Sequence, residues 1–242
     1  LEEFLAWLER IDGRARLHNP AAVIRWNLDK RYLRDLADAG VPVIATEFHG
    51  DAAAFATAVA AHGDAEVVVK PNVSAGSRHT GRFRADDPRA AALAATILAE
   101  GKLVMLQPCA ASVADVGEVS LVYFDGRFSH AFRKGPILAA GGVFNGAASS
   151  EIYTPATPTA AQQAVAAAAS AACDGFCRRH FGLDAPLLYG RFDLVRLDDG
   201  REALLEAELF EPSFFLAIDP DAASRFRDAA RARVLLSPRR PR

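Results

Sequence analysis

Four side chains in the last quarter of the chain have the types and spacing for metal and phosphate chemistry: Arg191, Asp193, Glu206 and Glu208. They sit in R-F-D-L-V-R-L-D-D-G-R-E-A-L-L-E-A-E, where two alternating runs flank Asp199-Gly200, a dipeptide whose residues both tolerate positive φ and favour a tight hairpin. With that dipeptide as the turn, Asp193 faces Glu206 and Arg191 faces Glu208, all on one side of the hairpin. The other side carries Phe192, Leu194, Leu205, Ala207 and Leu209, a core face. Closely spaced carboxylates repel unless a cation lies among them, and magnesium, which takes oxygen ligands, suits the set. A solvated outer face with one cross-strand ion pair fits this stretch equally well. The metal reading expects the carboxylates of Asp193, Glu206 and Glu208 to converge within roughly 4 to 7 Å. It also expects that neutralising Glu206 leaves the fold intact or steadier.

Two further stretches offer polar chemistry. Lys70 ends the run V-V-V-K and is followed by N-V-S-A-G-S-R-H-T-G, where Ser74, Ser77 and Thr80 hydroxyls and the backbone around Gly76 can turn toward an anion. The lysine precedes the glycine, so this is not a Walker A loop. Taken singly, Lys70 also fits a solvated strand-end lysine, and Arg78 and His79 ordinary loop residues. L-V-M-L-Q-P-C leaves its strand at Gln107, Pro108 and Cys109, where freed backbone groups can bond a purine edge beside Met105 and Leu106. A strand that simply ends at proline reads the same way.

The elements that position these residues follow from periodicity. Leu1, Phe4, Leu5, Leu8 and Ile11 form a helical stripe. Residues 27–39 read as a helix capped by Asn27, with Lys30 in its first turn and Gly40 past its end. Strand 41–46, helix 51–62, strand 66–70, helix 88–100 and strand 103–107 follow, an alternation that reads as an α/β unit. Residues 110–116 connect to a second hairpin, 117–124 and 127–134 around Asp125-Gly126, which places Glu118 across from Arg133 on the face of Ser120. The glycine-rich stretch 135–150 and the loop 73–80 read as covers that close over a site. Helix 159–181, the acidic hairpin, helix 221–234 and a basic tail complete the chain.

The chain has 242 residues, 51% of them hydrophobic and 24% charged, enough for a sizeable core in one large or two small domains. A net charge of −2 gives no electrostatic case for nucleic acid or membrane. Cys109, Cys173 and Cys177 form no metal-type pair and read as reduced thiols of a cytoplasmic protein. The helical stripe that begins at Leu1 suggests a missing N-terminal domain.

Lys30 in N-L-D-K-R-Y-L, Lys70 in V-V-V-K-P-N-V-S-A-G-S-R-H-T, the exit L-Q-P-C and the acidic hairpin together resemble an ATP-grasp ligase, over most of the chain. More narrowly, S-A-G-S-R-H-T, G-E-V-S-L-V-Y-F-D-G-R-F-S-H-A-F-R-K-G and E-x-E-x-x-E-P-S resemble the O-ureido-serine cyclo-ligases of cycloserine biosynthesis and their bacterial relatives. The resemblance implies an α+β fold of two subdomains, 1–106 and 107–242, clasping ATP, with a preceding domain absent. It implies that Lys30, Lys70 and Arg133 touch phosphates with the Ser74, Gly76 and Ser77 loop, that Gln107, Pro108 and Cys109 meet adenine, and that Asp115 or Glu118 binds ribose. Asp193, Glu206 and Glu208 would hold one or two Mg²⁺ ions, and Arg133 and Arg191 would steady the phosphoryl group or the substrate carboxylate. Glu208 departs from the pattern, since many ATP-grasp enzymes have asparagine there. The implied reaction forms an acylphosphate of a small amino-acid-like carboxylate, releasing ADP, before a nitrogen displaces phosphate. Homo-oligomerisation is left open. The competing readings are a non-catalytic ATP-binding module and a structural domain whose acidic face meets a basic partner.

Overall fold

The computed structural model describes residues 1–74, 76, 78–115, 117–135, 141–144 and 153–236. Helices α1 (Glu2–Ile11), α2 (Ala21–Leu28) and α3 (Tyr32–Asp38) precede strand β1 (Glu47–His49), helix α4 (Ala52–Ala60), strands β2 (Glu66–Pro71) and β3 (Thr80–Arg84), helix α5 (Pro88–Ala99) and strand β4 (Val104–Pro108). Helix α6 (Ala111–Asp115), strands β5 (Glu118–Phe124), β6 (Arg127–Lys134), β7 (Val143–Phe144) and β8 (Tyr153–Pro155), helix α7 (Ala160–Phe181), strands β9 (Tyr189–Arg196) and β10 (Glu202–Glu208) and helix α8 (Ala222–Leu236) follow. No helix among the described residues is long and apolar enough to cross a membrane. The stretch 135–150 falls outside the described residues apart from 135 and 141–144.

Two five-stranded antiparallel sheets carry the site, one in the order β1-β4-β2-β3-β7 and one in the order β10-β9-β5-β6-β8. The first is not the α/β unit that the alternation of elements predicts. An unforeseen strand, β3, turns back on β2 with Val67 opposite Phe83, so the pairing is antiparallel throughout. Helices α4 and α5 cover one face of this sheet over Phe55, Val67, Val69, Phe83, Ile97 and Leu106. Asp51 and Asp87 cap the two helices by accepting from Ala54 N and Arg89 N. Helix α7 starts at a capping box of Thr159 and Gln162 and lies on the second sheet over Leu121, Phe192, Leu194 and Ala207. Helices α2 and α3 join that same core through Val23, Tyr32, Leu33 and Leu36.

Three predicted elements shift. The helix read over 27–39 is broken: Asn27 belongs to α2 and Lys30 lies in the α2–α3 connection. The strand read at 41–46 is reduced to one bridge, Val43 to Leu204, and β1 forms just beyond it. Leu205 is the extra residue of a β-bulge and is half-buried, so Leu204 takes its expected place in the core.

Both hairpins carry such bulges, with opposite outcomes. At β9–β10 the turn is one residue longer than Asp199-Gly200 alone, with Leu197 N donating to Arg201 O at 2.8 Å. The bulge at Leu205 cancels the extra residue, and Asp193 does face Glu206 while Arg191 faces Glu208. At β5–β6 the bulge at Ser129 has nothing to cancel it. Glu118 therefore faces Lys134, and Arg133 faces Val119 on the side that packs with α7.

Candidate active site

β10, which carries Glu206 and Glu208, is an edge strand, and its outer backbone groups need partners. Side chains supply them. Asn27 Nδ2 donates to Ala207 O at 2.7 Å while Asn27 Oδ1 accepts from Leu209 N at 2.8 Å. The Tyr32 hydroxyl accepts from Ala207 N at 2.8 Å, and Asn19 Nδ2 donates to Leu209 O at 2.7 Å. Farther along, Leu204 N donates to Pro42 O and Ile44 N to Leu204 O. The first forty-odd residues thus act as the missing neighbour strand, and they bring Lys30 to Glu206 at 3.1 Å.

Lys70, at the end of β2, shares its sheet face with Met105 and Gln107, and Met105 reaches the core of the second sheet. The two sheets therefore meet along a charged seam. Asp193, 2% exposed, is gripped by Arg191 through two bonds of 2.9 Å, and it also pairs with Lys134. Lys134 lies 3.5 Å from Glu118, Arg191 also pairs with Glu208, and Lys30 reaches the Ser74 carbonyl at 3.4 Å. Four cations, Lys30, Lys70, Lys134 and Arg191, are interleaved with four carboxylates, Glu118, Asp193, Glu206 and Glu208.

Burial and charge act against each other throughout this seam. Burial opposes ionisation of Asp193, but Arg191 and Lys134 outweigh it and hold the carboxyl well below the usual range. Burial likewise acts on Glu206, and Lys30 and Lys70 bring its pKa below the ordinary value. At Glu118 burial prevails over Lys134, and the pKa rises. Burial lowers the pKa of Lys70, with Lys30 adding to the effect and Glu206 opposing it. Burial lowers that of Lys134 too, but Asp193 and Glu118 reverse the sign.

The three carboxylates share one face, with Asp193 and Glu208 both bonded to Arg191 Nη2 and Asp193 opposite Glu206, yet cations stand among them. Among the described residues no group of three or more His, Cys, Asp or Glu side chains could hold a metal ion. The protein's own lysines and arginine stand between the acids and do the neutralising that the sequence reading assigned to an ion. The donor set still fits magnesium, which is commonly held by one or two carboxylates plus substrate phosphates rather than by an all-protein cage. Glu206 and Glu208 offer hard oxygens and keep 28% and 27% of their side-chain surfaces open, whereas Asp193 has both oxygens engaged with cations.

The structure brings together Lys30, Lys70, Glu118, Arg191, Asp193, Glu206 and Glu208 of the predicted residues, with Ser74 alongside. Arg133 is excluded from the seam by the Ser129 bulge. Lys134 takes that place and went unseen because adjacent basic residues offer a cation to either register. Gly76 is exposed at φ 59°, and Ser77 lies outside the described residues. Gln107 is buried in β4 and its side chain donates to Thr46 Oγ1 at 2.8 Å, while Cys109 N, one of the backbone groups expected to be free at the strand exit, donates to Glu66 O at 2.9 Å. Pro108 is the last residue of β4 and Asp115 the last of α6.

Two antiparallel sheets meeting at a seam of lysines and acids, with helices outside, are the arrangement that the resemblance to an ATP-grasp ligase implies. No protein-family model matches the chain. It is 43% identical over 238 residues to the cycloserine biosynthesis protein DcsG of Streptomyces lavendulae, covering 96% of this chain and 78% of that protein. The crystal structure of D-cycloserine synthetase DcsG superposes with a TM-score of 0.86 at 41% identity, covering 96% of this chain and 79% of that one. The ATP-grasp ligase PsnB, in a complex with a phosphomimetic precursor variant, Mg and ADP, shares the fold at a TM-score of 0.60 and 18% identity over 96% of this chain and 68% of that one. The chain belongs to the cycloserine-synthetase family of ATP-grasp ligases.

Proposed function

We propose that the seam binds Mg-ATP and phosphorylates the carboxylate of a small amino-acid-like substrate, of the O-ureido-serine kind, so that a nitrogen of the same molecule closes a ring. The observation that carries this reading is the interleaving of cations and acids. A polyphosphate arriving with magnesium would match such a seam: Lys30, Lys70 and Lys134 would bind phosphate oxygens, and Glu206 and Glu208 would hold the metal. Magnesium held by Glu206 and Glu208, beside Asp193, would offset the charge of the phosphates. In this reading one jaw is the first sheet, bringing Lys70, and the other is the second sheet with the carboxylates and the N-terminal residues that carry Lys30; α2 and α3 pack on the second sheet and β7 pairs in the first, so the jaws depart from the expected division into 1–106 and 107–242. Reduced Cys109, Cys173 and Cys177 suit the ATP-rich cytoplasm.

In the first step a substrate carboxylate oxygen attacks the γ-phosphorus and ADP leaves with the bridging oxygen. In the second the nitrogen attacks the acyl carbon, phosphate departs with the original carboxylate oxygen, and the nitrogen gives up a proton. This chain's residues position and neutralise. Arg191, fixed by Asp193 and Glu208, steadies the transferring group, and the lysines hold the phosphates. The test is ADP release with Mg-ATP and O-ureido-serine. Release that depends on the amino-acid carboxylate supports the proposal. Tight Mg-ATP binding without ADP release over a range of amino-acid-like carboxylates contradicts it and favours a binding module.

A further inference from the structure

His130 is buried, and nothing in the proposed reaction uses it. Val122 pairs with Arg191 on one side and with His130 on the other, so the three form one row across β9, β5 and β6. The turn at 211–215 lies over both ends of that row. Arg191 Nη1 donates to the Ser213 carbonyl at 3.2 Å, and the next carbonyl, of Phe214, is 2.7 Å from His130 Nε2. The turn is strained at both ends, since Glu211 and Phe215 have φ of 52° and 49° and neither is glycine. Something must over-determine its position, and the ring of Phe214, packed on Phe124, Tyr189 and Phe226, supplies only apolar contact.

Hydrogen bonding fixes the state of the imidazole. A carbonyl only accepts, so Nε2 carries a hydrogen, and in the neutral ring Nδ1 then accepts. Its partner, Ser129 Oγ at 2.9 Å, therefore donates, and that hydroxyl in turn receives Arg225 Nε–H at 2.9 Å. The chain runs one way, from Arg225 through Ser129 and His130 to the Phe214 carbonyl. Burial, the largest cause, holds the ring's pKa below the usual value, with the Phe214 carbonyl and Asp219 opposing and Arg225 adding to it. Arg225 is itself paired with Asp219 at 2.6 Å.

We infer that His130 is a positioning residue for phosphoryl transfer: as its Nε2–H tautomer it anchors the strained 211–215 turn, whose Ser213 carbonyl sets the aim of Arg191. The inference rests on the reading of Arg191 as the group that steadies the transferring phosphoryl. Because Arg191 also grips Asp193 and Glu208, a shift of this turn is felt at both carboxylates. The Ser129 bulge that moved Lys134 into the seam also places this hydroxyl beside the ring.

His130→Phe keeps the aromatic volume and removes both hydrogen bonds, while His130→Gln restores a donor near the Nε2 position. With Mg-ATP and O-ureido-serine, His130→Phe is expected to lower kcat about ten- to a hundredfold with the KM for ATP changed by less than about twofold, and His130→Gln to recover most of the loss. Hydrogen exchange should quicken within 211–215 and not along β5 or β6. In an Arg191→Lys background His130→Phe should cost at most about twofold more, since the residue it acts through has already lost its aim. Equal losses in both variants, faster exchange spread over the sheet, or full additivity with Arg191→Lys overturns the inference. If His130→Phe does not fold, Ser129→Ala carries the same expectation on a smaller scale, and wild-type kcat and exchange in that variant overturn it. The exchange measurement needs no turnover, so a wild type that releases no ADP defeats the ligase reading while exchange still decides whether His130 holds the turn.

Discussion

Glu208 is the carboxylate whose charge depends most on its company. Burial pushes its pKa up to about 7 from an ordinary 4.5, with Asp193 and Glu206 adding and Arg191 opposing. An acid raised in this way contributes stability that is full below its unfolded value and lost as pH rises through the folded one. Without ligand the chain should melt lower at pH 8 than at pH 6, and Glu208→Gln should flatten that difference in a thermal scan. A bound cation takes the proton's place, so Mg-ATP affinity should climb between pH 6 and 8, and a flat calorimetric profile would count against Glu208 as a ligand. Lys70 makes a separate prediction. Lys70→Ala should weaken ATP by about 1.5 to 3 kcal/mol and adenosine by much less, since the lost contact is charge-assisted. Equal losses in titration calorimetry would remove Lys70 from the phosphates. The order of lysines and acids made most of this set legible in the sequence. Lys134 was not legible, because Arg133 and Lys134 each offer a cation and only the Ser129 bulge decides between them.

Elements aim these residues through a few contacts of small area. Asn27 satisfies Ala207 O and Leu209 N on the outer edge of β10, which the N-terminal residues cover, and Asn27→Ala leaves both buried without a partner. The expected loss is about 2 to 4 kcal/mol in denaturant unfolding, and a loss within about 0.5 kcal/mol would show that water replaces the side chain. Gly117 does comparable work for Lys134. It adopts φ +76°, and a Cβ there would stand 1.9 Å from the Lys134 carbonyl oxygen, so Gly117→Ala should displace the end of β6 and weaken turnover as well as stability. Neither role shows in the pattern of apolar residues. Asn27 looked like a helix cap because asparagine is a favoured residue at a helix start, and its real partners lie far away in sequence, on β10. The register of the acidic hairpin was legible only because a longer turn and the bulge at Leu205 cancel. Alternation reports faces, but it does not report an inserted residue.

At the scale of the molecule, Lys70 of the first sheet and Lys30 of the α2–α3 connection meet a face of the second sheet that itself mixes acids with Lys134 and Arg191, and that reverses one expectation from the sequence. Three facing acids suggested a face strained by its own repulsion. Glu206 instead lies against Lys30 and under the influence of Lys70, which hold its pKa below the ordinary value. Its contribution to stability is present above about pH 4.5 and lost as pH falls, so Glu206→Gln should make the free protein modestly less stable rather than steadier. A ligand that bridges the sheets should raise the melting temperature. At a hundred times its dissociation constant Mg-ATP should add about 2.7 kcal/mol, and chelating the metal should remove most of that gain. The overall class was legible because several weak motifs stand in a definite order; the antiparallel first sheet was not, since β3 hides in a loop-like run of polar residues. The most direct test of the seam as the phosphoryl-transfer site is ADP release by Glu206→Gln and wild type side by side, at saturating Mg-ATP and O-ureido-serine. The account predicts a folded variant with turnover reduced by about a hundredfold or more. A folded Glu206→Gln variant that turns over at the wild-type rate with the same magnesium dependence would contradict it.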